Sequence, residues 1–246
     1  MFNKTLLLLF VLSLSLYAKT SVEEAVFESG ISLYGKVGTA TLTYEENLEK
    51  STYKIEIVAQ SSGFLKALFH NRVDTFVSEG KIKEGVYIPL KYTKIESDAF
   101  SNKTTSYIFD YEKRSVLKKT QKHYTEVSTE FDPMQMRIVK HKEKKYKENS
   151  QNIELRENDF LSLYLNLMKG NLQKGELQAL DQKERDSVSI FGKNLLSINK
   201  ENKKTVYAIT LEDDDNSVFF KKASSEMALF GSAYLQKIAQ SKELRN

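Results

Sequence analysis

The sequence predicts a mainly β protein: a curved antiparallel sheet forming an open or closed barrel, with two short helices as the α minority. Three observations predict it. Apolar and polar residues alternate with a period of two in one segment after another, most plainly from Tyr53 to Gln60, where one face is apolar. The segments follow one another as successive hairpins, which favours antiparallel pairing over βαβ units. Only two stretches show helical spacing instead.

Taken in order, Thr39 to Tyr44 mixes β-branched and aromatic residues, and Tyr53, Ile55, Ile57 and Ala59 alternate with Lys54, Glu56, Val58 and Gln60. Ser62 to His70 places Phe64, Leu65, Leu68 and Phe69 at helical spacing. Val73 to Glu79 is a less one-sided strand. Val86 to Ile95 is a strand interrupted by Pro89, which cannot donate to a ladder and so belongs at an edge or a bulge. Tyr107, Phe109 and Tyr111 mark the next strand. Asn158 or Asp159 can cap a second helix whose apolar residues, Phe160 to Met168, nearly surround its axis. Gly170 is placed to end it. Such a helix is buried, plugging or capping the sheet. Val188 to Gly192 and Val206 to Leu211 are strands, Glu212 to Asn216 is an acidic turn, and Val218 to Lys221 reads as a further strand. Ser241 to Asn246 reads as a frayed end.

The N-terminus has its own pattern. Lys4 precedes an apolar run from Leu6 to Leu16, and Ala18 precedes the polar Lys19-Thr20-Ser21. This is the n-region, h-region and cleavage site of a signal peptide over residues 1–18, too short to span a bilayer comfortably. Residues 19–246 read as one domain, with no linker and no repeat. The expectation is a periplasmic protein that is not integral to the membrane after signal cleavage. Cys is absent, which excludes an acylated N-terminal cysteine, disulfides and thiolate metal sites. The net charge of +4 is too small for a nucleic-acid partner. Basic residues concentrate at Lys140, Lys142, Lys144, Lys145 and Lys147, a segment suited to contact an anionic surface such as lipid headgroups.

No motif for catalysis, cofactor or metal stands out. Gly30-Ile31-Ser32-Leu33-Tyr34-Gly35 has one residue too many for a nucleophile elbow. Ser78 with Lys81, and Ser115 with Lys118, match S-x-x-K in strand-like segments, where the two side chains point apart. Gly35-Lys36-Val37-Gly38 lacks the spacing of a phosphate loop. Asp213-Asp214-Asp215 lacks the glycine and distal glutamate of a calcium loop. His70, His123 and His141 show no metal-ligand spacing.

Several segments together resemble a known family. They are Gly30 to Thr41, Tyr53-Lys54-Ile55, Gly63 to Phe69, Ser78-Glu79-Gly80, Pro89 to Tyr92, Phe109-Asp110 and Asp159 to Tyr164. The chain is similar over roughly Glu24 to Gly192 to the DUF3108 family of exported bacterial proteins of unknown function. The resemblance implies a periplasmic, strongly curved sheet, similar in shape to the lipoprotein-carrier half-barrels that shelter an acyl chain. It supplies no catalytic residues, and the chain departs from its pattern between Arg114 and Asn152.

The function expected is that of a non-enzymatic envelope protein binding an apolar or amphiphilic ligand, such as lipid, in the sheet's cavity. Phe64, Leu68, Phe160 and Tyr164 are the expected lining. Two alternatives stay open: an interaction protein that scaffolds envelope proteins, and a hydrolase of cell-envelope material.

Overall fold

The computed structural model describes residues 20–132, 134, 136–172, 175–177, 180, 187–192, 195–200, 203–227 and 231–245. The proposed signal peptide therefore lies outside the described residues. The described residues form one antiparallel sheet of fourteen strands. Its first half comprises β1 (Thr20–Ile31), β2 (Gly35–Asn47), β3 (Thr52–Ser61), β4 (Val73–Lys83), β5 (Val86–Ser97), β6 (Ser101–Asp110), β7 (Ser115–Asp132) and β8 (Arg137–Glu154). Helix α1 (Gly63–Leu68) joins β3 to β4. Helix α2 (Phe160–Met168) follows β8. The second half comprises β9 (Gly175–Leu177), β10 (Ser187–Gly192), β11 (Leu195–Lys200), β12 (Lys203–Glu212), β13 (Lys222–Met227) and β14 (Gly231–Arg245).

The topology is two meanders joined at the middle. The chain starts at the centre in β1 and steps outward to one edge at β8. The segment containing α2 carries it to the opposite edge at β9, and it steps back until β14 pairs with β1. Among the described residues the sheet is not closed: β8 and β9 are its two ends. Thr20 pairs with Arg245, so Ser241 to Arg245 are laddered against β1 and do not fray. Their hydrogen-bonding partner, the far end of β1, lies too distant in sequence for local composition to reveal.

Burial follows the period of two. Ala25 and Phe27 on β1, Leu42 and Tyr44 on β2, Tyr53 and Ile55 on β3, Tyr107 and Phe109 on β6, and Val116 on β7 face one buried core. That inner face is covered by α2, whose Leu161, Leu163, Leu165 and Leu167 are buried in the same cluster. Val218, Phe219 and Phe220 join them. They form no strand; they are a buried excursion between β12 and β13. The run is apolar on consecutive residues because it is covered on all sides, which period-two reasoning cannot separate from a strand. Phe220 packs on Phe27 with centroids 4.9 Å apart and edge-on to Tyr164 at 6.0 Å. Helix α2 thus touches β4 and β5 in one half of the sheet and the Val218–Phe220 segment of the other, which requires the sheet to curl around it.

Pro89 sits at a bulge. Glu79 pairs with Lys91 but Gly80 pairs with Pro89, so Leu90 is skipped. A Cβ on Gly80 would lie 2.1 Å from the Ile88 carbonyl oxygen, so the bulge needs glycine there.

Candidate functional site

The inner polar groups are built around the ends of α2. Asp159 caps it: the carboxylate accepts from the N–H groups of Leu161 at 2.7 Å and Ser162 at 2.9 Å, while Ser162 Oγ accepts from the Asp159 N–H at 3.0 Å. Ser78 on β4 donates its hydroxyl to the other carboxylate oxygen at 2.7 Å, and Tyr53 Oη lies 3.1 Å from Ser78 Oγ. Asp159 is wholly buried. Burial pushes its carboxyl up to about 6, against the pull of Ser78 and the two helix N–H groups. Burial likewise raises the Tyr53 phenol, with the Asp159 charge adding to it. At the other end, Gly170 adopts φ +72° and closes the helix.

One turn from the C-terminus, Asn166 completes the sheet. Ladder pairing between β5 and β6 begins only at Lys91 with Ile108. Tyr87 pairs with Ile82 of β4 on one side, and its backbone is left without a strand on the β6 side. Asn166 replaces it: the Tyr87 N–H donates to Asn166 Oδ1 at 2.8 Å, and Asn166 Nδ2 donates to the Tyr87 carbonyl at 2.9 Å. Tyr87 and Tyr44 hydroxyls meet at 2.8 Å, and Tyr44 donates to Glu46 at 2.8 Å. Burial is the first cause that raises both phenols.

On the other flank, Glu23 holds the Val218–Phe220 excursion. It is 3% exposed, and its carboxylate accepts from Ser217 Oγ and from the Val218 N–H at 3.1 Å. Tyr164 donates to the Val218 carbonyl at 3.0 Å, and burial raises its phenol. These groups are committed to one another as caps and pins. They assemble no exposed constellation of nucleophile and base. His70 stacks edge-on to Phe100, His123 lies against Tyr146, and His141 is 3.7 Å from Glu130. Among the described residues no histidine side chain hydrogen-bonds a serine. In the same set, no group of three His, Asp or Glu side chains could hold a metal ion.

The expected apolar lining is not gathered in one place. Helix α1 rests on β2 and β3, and α2 on β4 and β5. Leu68 is exposed, Phe160 is half-exposed, and Tyr164 is taken up by the Val218–Phe220 segment. The Phe64 side chain lies outside the described residues. Among the described residues, clefts of about 450 and 350 Å³ are found. The first is edged by Glu45, Lys54, Glu79 and Lys91, the second by Glu23, Glu46, Asp214 and Lys242. Both are open and bordered by charge.

The lysine segment gives a clearer surface. Strands β7 and β8 pair along their whole length, from Ser115 with Glu154 to Asp132 with Arg137. The β6 ladder stops at Ser101 with Tyr124. Beyond it, and beyond the Thr125 N–H that donates to the Phe100 carbonyl at 2.9 Å, Glu126 to Asp132 and Arg137 to Glu143 project as a two-stranded hairpin for roughly 20 Å. The register divides the five lysines. Lys145 and Lys147 share the face of the buried Val116 and the partly buried Ile153. There Lys145 pairs with Glu126 and, at 3.5 Å, with Glu143, and Lys147 lies 5.6 Å from the Tyr124 ring centroid. The Lys145 ammonium hydrogen-bonds Glu126 and holds that carboxyl below the usual range. Lys140, Lys142 and Lys144 stand on the opposite face, across from Thr129, Val127 and Thr125. At its end Phe131 is directly opposite Ile138. Met134 and Met136 in the turn are 92% and 79% exposed, and Ile138 is 68% exposed.

One face of the hairpin is thus apolar and basic with no acid from Thr125 outward, and the other carries Glu126, Glu130 and Glu143. Lysine composition signals the base of this surface in the sequence. The apolar tip is missed there, although Phe131, Met134, Met136 and Ile138 crowd around Pro133 between two polar stretches.

No protein-family model matches the chain, and no curated protein matches it. Among solved structures it is similar to a beta-barrel-like protein of domain of unknown function DUF1849 from Brucella abortus. The identity is 10%, the match covers 92% of this chain and 100% of that one, and the TM-score is 0.41.

Proposed function

We propose that this chain is an exported, non-enzymatic protein of the cell envelope that works by docking on an anionic, amphiphilic surface through the outer face of the β7–β8 hairpin. The observation that carries the reading is the segregation of charge by strand register. Lys140, Lys142 and Lys144 share one face with Val127, Phe131 and Ile138, while the hairpin's glutamates face the other way. Export is supported by the Leu6 to Leu16 apolar run ahead of Ala18, and the resemblance to the DUF3108 family of exported proteins belongs to the same proposal. What favours the outside of the sheet over its concavity is that α2 and Val218–Phe220 cover the inner face of β1 to β6 among the described residues.

Co-sedimentation with phospholipid vesicles tests it. A lysine near an anionic surface contributes about 1 kcal/mol. Replacing Lys140, Lys142 and Lys144 together by Gln is expected to lower the partition coefficient by about a hundredfold. Binding should weaken with added salt and be poor on zwitterionic vesicles. A triple variant that sediments as well as the parent, or binding indifferent to salt, refutes the proposal.

A further inference from the structure

The tip of the hairpin has a chemistry that its lysines do not explain. We infer that Phe131, Met134, Met136 and Ile138 form a wedge that enters the interfacial region of an anionic phospholipid bilayer, with Lys140, Lys142 and Lys144 seated at the headgroups behind it. The inference rests on the docking proposed above and adds the depth and orientation of the contact.

Four features lead there. The wedge is at the end of an element that overhangs the sheet, so it can reach a surface that the body of the protein does not touch. Its apolar residues are exposed together: Phe131 and Ile138 are cross-strand neighbours, and Met134 and Met136 occupy the turn between them. A contiguous exposed apolar patch marks an interaction site more than scattered apolar residues do. Behind the wedge, Lys140 and Lys142 follow Ile138 at every second residue on the same strand face, and among the described residues neither forms an ion pair. Apolar tip followed by basic shaft is the order in which a bilayer presents acyl chains and then phosphates to something entering end-on. The glutamates on the opposite face fix which side turns away from the anionic surface, and Glu126 and Glu143 are already paired with Lys145. A phospholipid surface offers both partners in this order, acyl chains for the tip and phosphates for the lysines.

The absence of tryptophan makes the test clean. Phe131→Trp at the tip and Tyr146→Trp at the base of the same outer face each supply one fluorophore in the full chain. With vesicles containing phosphatidylglycerol, Phe131→Trp emission should move to shorter wavelength and be quenched by lipids brominated near the top of the acyl chain. Tyr146→Trp should show neither. Met134→Asp with Met136→Asp, both at exposed turn positions, should lower partition by at least about tenfold without changing thermal unfolding. Vesicle binding that leaves Phe131→Trp unshifted and unquenched overturns insertion while the lysine-mediated docking stands. Failure of the parent chain to bind anionic vesicles even at low salt overturns both. A Phe131→Trp shift produced by envelope proteins but not by pure lipid overturns the bilayer assignment in favour of a protein partner.

Discussion

Asp159→Asn should remove a pH dependence that the buried carboxyl imposes on folding. The ordinary value of this group is 3.8, and in the fold it lies at about 6 because the side chain is wholly buried. A carboxyl raised on folding binds its proton more tightly in the native state. Its contribution is therefore fully present below about pH 4 and is lost as pH rises through about 6. Two units correspond to about 3 kcal/mol, at the order-of-magnitude level. Asparagine keeps the geometry: its oxygen can accept from the Leu161 and Ser162 N–H groups, and its amide can donate to Ser78 Oγ. Urea unfolding of parent and variant between about pH 4 and 7, with unchanged m-values, reads the difference. The variant should gain up to about 3 kcal/mol relative to the parent across that range. Carboxyls elsewhere cancel in the comparison. A difference that stays flat with pH to within about 0.5 kcal/mol refutes the reasoning, because the carboxyl would then not titrate between those limits in the fold.

Two further substitutions test the architecture. Asn166→Leu leaves the N–H and C=O of Tyr87 buried without partners and should cost about 2–5 kcal/mol by chemical denaturation, whereas a loss under about 1 kcal/mol would mean that β5 finds another partner. Gly80→Ala places a methyl group 2.1 Å from the Ile88 carbonyl oxygen and should cost about 1–3 kcal/mol, read as a lowered melting temperature; an unchanged one would show that the bulge relaxes freely.

Much of the fold was legible in the chain because burial on one face writes itself as alternation. Tyr53, Ile55 and Ile57 on β3, and Tyr107 and Phe109 on β6, carry that signal plainly. The cap at Asp159 and the stop at Gly170 are local and were readable for the same reason. Strands β7 and β8 were not, since past Val116 the inner face is only half-buried and carries Lys118, Thr120 and Lys122, so burial alternates without an apolar pattern to show it. The Val218–Phe220 excursion was misread because three consecutive apolar residues fit a strand and a buried loop equally well. Long-range partners were invisible: nothing near Asn166 announces that Tyr87 lacks a strand on its β6 side.

The lysines of β8 admit a second physical role. This strand ends the sheet, and charge on an edge strand discourages pairing with another chain. Edge protection requires charge but not its sorting. It would be served equally by lysines and glutamates mixed on both faces, as they are where Lys145 meets Glu126 and Glu143. It gives no reason for Lys140, Lys142 and Lys144 to share a face with Val127, Phe131 and Ile138, and it is opposed by leaving Met134 and Met136 exposed at the free end. Apolar exposure at an edge is a cost to solubility, and a protein retains such a cost where the surface has something to meet. A headgroup layer over acyl chains meets both halves of that face at once.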